Sequence, residues 1–162
     1  MKKAFVFDFD DTLAMTDCKV IVRKWGKEIA RLTPAEYNSY PLADDCYFDY
    51  DEFRDPSFIE KAEKLHMMDL AKEVHDENHD VFILTARGTA VADAIDSFLW
   101  KYNIDAKQIH CLGDTTTNET MATAKTNILA TFMMSYDKVY FYDDNKKNVE
   151  AAESIGCKSY KV

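Results

Sequence analysis

Asp8, Asp10 and Thr12 alternate in Phe5-Val6-Phe7-Asp8-Phe9-Asp10-Asp11-Thr12-Leu13, and the acids begin where the apolar run Ala4 to Phe7 stops. Carboxylates this close repel one another and are costly to desolvate, so they point to a hard cation that gathers them. Three further polar clusters follow apolar runs or lie in a helix: Thr85 and Arg87, Lys125, and Asp143-Asp144. Together these residue types can perform phosphoryl transfer through an aspartyl-phosphate. A carboxylate nucleophile meets repulsion from an anionic phosphate. Mg²⁺ bridging the two removes that obstacle, and Mg²⁺ favours one or two carboxylates with waters and phosphate. A hydroxyl, a lysine and an arginine neutralise the equatorial oxygens. A second carboxyl protonates the leaving oxygen and later activates water.

These groups are far apart in sequence and need a scaffold that makes them converge. The apolar runs Ala4 to Phe7, Val81 to Leu84, Gln108 to Leu112, Val139 to Tyr142 and Lys158 to Val162 read as strands. Helical spacing separates them, over about Ser57 to Asn78, Thr89 to Tyr102, Glu119 to Ser135 and Lys146 to Ser154, the last closed by Gly156. This alternation predicts an α/β fold, a doubly wound, Rossmann-like, five-stranded parallel sheet. In such a sheet the carboxyl ends of the strands face one crevice, which is where Asp8, Asp10, Thr85, Arg87, Asp143 and Asp144 fall.

Residues 15–56 break the alternation and read as a small cap or flap inserted after the first strand of one domain, 1–162. Lys19-Val20-Ile21-Val22-Arg23, a turn at Lys24-Trp25-Gly26-Lys27 and Glu28 to Leu32 predict a hairpin. Thr33-Pro34-Ala35-Glu36 is a helix start with an N-cap, proline in the first turn and glutamate at N3. Asp44 to Asp55, acidic and aromatic, reads as irregular surface structure.

At 47% hydrophobic residues the chain can bury a core, and a net charge of −9 excludes an extensive surface for duplex nucleic acid. The N-terminal apolar run is too short for a signal peptide and no stretch reaches the length of a membrane span, so a cytoplasmic setting is expected. Cys18, Cys46, Cys111 and Cys157 form no CxxC pair and read as reduced thiols.

The motifs resemble those of the haloacid dehalogenase superfamily of aspartate-nucleophile phosphatases, in the family's order and across nearly the whole chain. The resemblance implies Asp8 as nucleophile and Asp10 as acid/base, with Thr12 closing the motif. It implies Thr85 and Lys125 as phosphate-binding groups, with Lys125 also steadying the nucleophile. It assigns Mg²⁺ to Asp8, Asp10 (through its backbone carbonyl) and Asp143, with Asp144 nearer a second layer. The step Thr85-Ala86-Arg87 is similar to the arginine just after the second motif in the 3′-phosphatase part of polynucleotide kinase-phosphatases, and it places Arg87 beside the phosphate. No kinase P-loop of the form GxxxxGK[ST] is present.

Each residue alone has a plainer reading: Thr85 as a helix cap, Arg87 and Lys125 as solvated cations, Asp143-Asp144 as an N-cap cluster. All must hold together to defeat the functional one. An EF-hand fails because Leu13 and Lys19 stand where its Gly and Glu belong. His75 and His79 lack the glutamate of HExxH. A signalling receiver domain would want its acid pair early and its lysine at the last strand end. The expected partner is a phosphorylated small molecule or a nucleic-acid end, with Lys19, Arg23, Lys24 and Lys27 around Trp25 as a basic, stacking hairpin. The rival readings are a small-metabolite phosphatase and a non-catalytic phosphate-binding module.

Overall fold

The structure, a computed structural model, describes residues 2–114 and 120–162; the expected helix start at Glu119 lies outside them. In chain order the strands are β1 Lys3–Phe7, β2 Ala14–Met15, β3 Val20–Lys24, β4 Lys27–Leu32, β5 Cys46–Asp49, β6 Glu63–Lys64, β7 Asp80–Thr85, β8 Gln108–Cys111, β9 Lys138–Asp143 and β10 Lys158–Lys161. The helices are α1 Pro34–Asn38, α2 Pro56–Glu60, α3 Met67–Asp76, α4 Ala92–Lys101, α5 Met121–Ser135 and α6 Lys146–Ser154.

The central sheet is five-stranded in the order β10-β9-β1-β7-β8, and every pairing is parallel. β1 lies in the middle and is buried on both faces, which is why it reads as an unbroken apolar run. Phe5 and Phe7 join Met68, Ala71, Val74, Ile95, Phe98 and Leu99 from α3 and α4 in one core. Ala4 and Val6 join Leu129, Phe132 and Ala152 from α5 and α6 in the other. This is the α/β layering the alternation predicts. The last turn of α6 ends at Ile155 and Gly156 with Gly156 at φ 85°, as its glycine predicts.

The chain between β1 and β7 builds a second, three-stranded antiparallel sheet in the order β4-β3-β5. The expected hairpin is present, with Trp25 and Gly26 both at positive φ (50° and 78°), the geometry of a tight two-residue turn. Thr33 and Glu36 make a reciprocal capping box at α1. Val20, Val22 and Leu32 form a small core with Tyr37, Phe48, Tyr50 and Phe53.

Two expectations are corrected. The segment Asp44 to Asp55 is not irregular: Cys46–Asp49 pairs with β3, and Asp51–Arg54 is a 3₁₀ turn. The stretch Ser57 to Asn78 is not one helix. α2 stops at Glu60, and Glu63–Lys64 pairs antiparallel with Ala14–Met15 before α3 begins, tying the inserted segment to the core at its base. Among the described residues no helix is long and apolar enough to cross a membrane.

Candidate active site

After β1 the chain folds back on itself. The amides of Thr12, Leu13 and Ala14 all point to the Phe9 carbonyl, and Asp11 takes a left-handed conformation (φ 61°) that aspartate tolerates better than most residues. This turn fixes Asp8 and Thr12 as buried groups and leaves Asp10 at the rim.

Lys125 is the hub. It is 1% exposed, and its ammonium donates to Asp8 Oδ1 (3.0 Å) and Asp143 Oδ2 (2.8 Å). The strands β1 and β9 are neighbours in register, with the Asp8 amide donating to the Tyr142 carbonyl, so both carboxylates arrive at the same height. Asp143 is fully buried, and its oxygens also accept from the Asn145 amide on Oδ1 and from Asn148 Nδ2 (3.0 Å) on Oδ2, which leaves Oδ1 a site for a cation. Thr12 Oγ1 lies between Asp8 Oδ2 (3.4 Å) and Asp144 Oδ1 (3.5 Å).

Asp8, Asp143 and Asp144 present oxygens within 4.8 Å of one another. An all-oxygen, carboxylate donor set of this size suits a hard divalent cation such as Mg²⁺. The electrostatics agree. Burial drives the Asp8 carboxyl well above its ordinary pKa, Lys125 offsets part of this, and Asp143 and Asp144 add to the rise. Burial likewise raises Asp144. Desolvation works against the Lys125 ammonium, but Asp8 and Asp143 outweigh it and hold the lysine charged. A single ammonium therefore faces three acids, and a cation would relieve the remainder.

Asp10 stands apart from this set. Its carboxylate is gripped by the Arg87 fork, Nε to Oδ2 at 2.8 Å and Nη2 to Oδ1 at 2.7 Å. Arg87 is 4% exposed, and its other donors reach the Phe53 carbonyl (3.0 Å) and Thr16 Oγ1 (3.2 Å), with the Phe53 ring 5.0 Å from the guanidinium. The fork expected beside a phosphate is thus turned to Asp10 and to the inserted segment. Thr85 is fully buried, its hydroxyl accepting from the Arg87 amide (3.1 Å).

The structure brings together every residue singled out from the sequence, in two groups: Asp8, Thr12, Lys125, Asp143 and Asp144 around the lysine, and Asp10, Thr85 and Arg87 around the arginine. Sequence reasoning missed Asn148 and Gly113. Asn148 is a buried amide in the first turn of α6, and a polar residue on the inner face of a short helix was its signal. Gly113 donates to the Arg87 carbonyl, and a Cβ there would lie 2.3 Å from the Ala86 carbonyl oxygen. That close approach holds the Arg87 loop, and a glycine ending an apolar strand was its signal.

A parallel five-stranded sheet with acids at the central strand ends and an insertion after the first strand is the haloacid dehalogenase type of fold. Solved structures of that type superpose on the chain. A HAD family enzyme from Bacteroides thetaiotaomicron, in complex with magnesium and inorganic phosphate, matches with a TM-score of 0.53 and 13% identity over 99% of this chain and 94% of that one. A HAD-superfamily hydrolase from Geobacter sulfurreducens matches at 0.57 and 12%, over 99% and 86%. A chain of the Pnkp1/Rnl/Hen1 RNA repair complex matches at 0.62 and 15%, with 100% of this chain covering 42% of it, so the chain spans less than half the length of that relative. At these identities the likeness is one of fold. No family model matches the sequence, and no curated protein matches it.

Proposed function

We propose that the chain is a Mg²⁺-dependent phosphomonoester hydrolase acting through an aspartyl-phosphate on Asp8, with nucleotides or nucleic-acid phosphate ends as substrates. The observation that carries this is the division of the carboxylates. Asp8 is held by Lys125 next to Asp143 and Asp144, while Asp10 is oriented separately by Arg87. Two acids in different environments can play nucleophile and acid/base.

Asp8 Oδ1 is engaged by Lys125, which leaves Oδ2 to attack phosphorus. The ester P–O bond breaks, and Asp10, which must leave the Arg87 fork and take up a proton as substrate enters, gives that proton to the departing alkoxide. Asp10 then takes a proton from water, which attacks the phosphorus of the acyl phosphate, releases inorganic phosphate and returns Asp8 as a carboxylate. Lys125, with the Thr85 hydroxyl at the end of β7, offers donors for the equatorial oxygens. Asp8, Asp143 and Asp144, with the Asp10 carbonyl, would hold Mg²⁺, which when bound neutralises phosphate charge. We infer that Arg87 acts through Asp10, because both of its fork contacts are spent there.

The nucleotide assignment is supported by the Thr85-Ala86-Arg87 step and by the fold likeness to the RNA repair complex. The net charge of −9 favours the second reading, a phosphatase of small metabolites. Hydrolysis of nucleotides, phosphorylated oligonucleotides and sugar phosphates, each with Mg²⁺ and with chelator, separates the two. Asp8→Asn is expected to lower turnover at least about 10³-fold with the fold intact. An Asp8→Asn variant that keeps most of its Mg²⁺-dependent activity overturns the assignment.

A further inference from the structure

A shallow cavity of about 510 Å³, open to solvent over most of its surface, runs along the β5 edge of the inserted sheet, lined by Arg23, Tyr47, Asp49, Tyr50, Asp51 and Arg54. It adjoins the catalytic end of the molecule through one short piece of chain. The 3₁₀ turn Asp51–Arg54 forms its wall, and within that turn Phe53 accepts a hydrogen bond from Arg87 and lays its ring against the guanidinium. Arg54 also faces the loop after β8, where its charge helps hold Asp114 ionised, after the stronger hydrogen bonds from Thr89.

The lining has a division of labour. Tyr47 is 49% exposed on the edge strand. Arg23 is pinned by Asp49 (2.6 Å) and the Gly26 carbonyl, so its flat guanidinium is part of the wall. Arg54 is paired with Asp51, but both side chains are largely exposed (60% and 80%), and such a pair is weak enough to yield to an incoming anion. Asp49 already accepts from Arg23 and from the Asp51 amide, so the exposed Asp51 is the acceptor for amino or hydroxyl groups. A flat ring, an available arginine and acceptors in one cavity suit a nucleoside with its phosphate.

We propose that this cavity receives the nucleoside unit adjoining the scissile phosphate, with a base against Tyr47 and the internucleotide phosphate at Arg54, so that the preferred substrate is a single-stranded nucleic-acid end. The proposal rests on the phosphatase reading above. It also moves recognition away from the hairpin tip. There Lys24 is bound to Asp45 (2.9 Å) and lies over the Trp25 ring, and at the other end of the hairpin the Lys19 ammonium donates to the Asp17 carbonyl.

The test compares a trinucleotide bearing a terminal phosphate, 3′ in one set and 5′ in another, with an aryl phosphate, for the wild type, Tyr47→Ala and Arg54→Ala. Each substitution is expected to lower the ratio of kcat/KM for trinucleotide over aryl phosphate about tenfold, chiefly through KM, the scale of one lost base stack. Arg54→Ala is expected also to reduce the slope of log kcat/KM against log salt by about one. Equal losses on both substrates overturn the cavity assignment and leave the phosphatase reading standing. A wild type that hydrolyses neither substrate overturns the phosphatase reading instead. Binding of the labelled trinucleotide to the Asp8→Asn variant then decides for the cavity: weaker binding with either second substitution supports it, and unchanged binding overturns it.

Discussion

Lys125→Met, a change that keeps the length of the stem and deletes the ammonium, tests the hub of the site. Lys125 is opposed by Asp8 at 3.0 Å and Asp143 at 2.8 Å, with side-chain exposures of 2%, 10% and 0%. At an effective dielectric near 20 each pair attracts by about 6 kcal/mol, and desolvation offsets much of this. What remains on removing one partner of a buried pair is about 3–5 kcal/mol, because the other charge is left uncompensated. Two carboxylates share this ammonium, so the upper part of that range, about 4–5 kcal/mol, is expected. For a chain of 162 residues this lowers Tm by about 8–20 °C. The assay is urea and thermal unfolding by circular dichroism, in chelator and then in excess Mg²⁺. The chelated variant shows the full loss, and Mg²⁺ raises its Tm by more than it raises that of the wild type, since the acids have lost the ammonium that bridges Asp8 and Asp143. Adding Asp143→Asn to the variant recovers part of the stability. A Lys125→Met protein within about 1 kcal/mol of wild type in chelator would refute the reasoning.

Gly113→Ala forces a Cβ onto the Ala86 carbonyl and displaces the Arg87 loop, so turnover is expected to fall about 10–100-fold with a modest loss of stability, measured by steady-state kinetics beside thermal unfolding. His110 has its pKa lowered by burial, so the folded protein resists its protonation. Its contribution is present above the unfolded value of about 6.5 and lost as pH falls through the lower folded value. Unfolding free energy measured from pH 7 to pH 5 is expected to fall less steeply in His110→Gln, and an unchanged slope would contradict this.

The strands β1 and β7 could be read from the sequence because they are buried on both faces and carry unbroken apolar runs, with polar groups where each run meets the crevice. The inserted segment could not be read so far. Tyr47-Phe48-Asp49 looks like acidic surface, and it becomes a strand only because β3 offers an edge and Arg23 a partner for Asp49. In the stretch from Ser57, Ile59, Ala62, Met68 and Ala71 all pack in the core at spacings that are multiples of three and so keep a rough helical period, although the chain leaves the helix to pair Glu63–Lys64 with Ala14–Met15. At the site, residue types and strand ends were legible, and directions were not. That Asp10 meets Arg87, 77 residues away, depends on the loop after β1 and the contact at Phe53, which no local pattern encodes.

The strand order has a consequence for how the molecule comes to life. The site draws on the ends of β1, β7 and β9 and on α5, and β1, the earliest of these in the chain, lies between the two later strands. No fragment that stops short of β9 therefore contains it, and the site stays incomplete in a nascent chain until β9 is available to pair with β1. Closing loops of such length is slow compared with forming helices. Under the proposed function, helical signal should return first during refolding and hydrolysis last, so that turnover would serve as a clock for completion of the whole sheet.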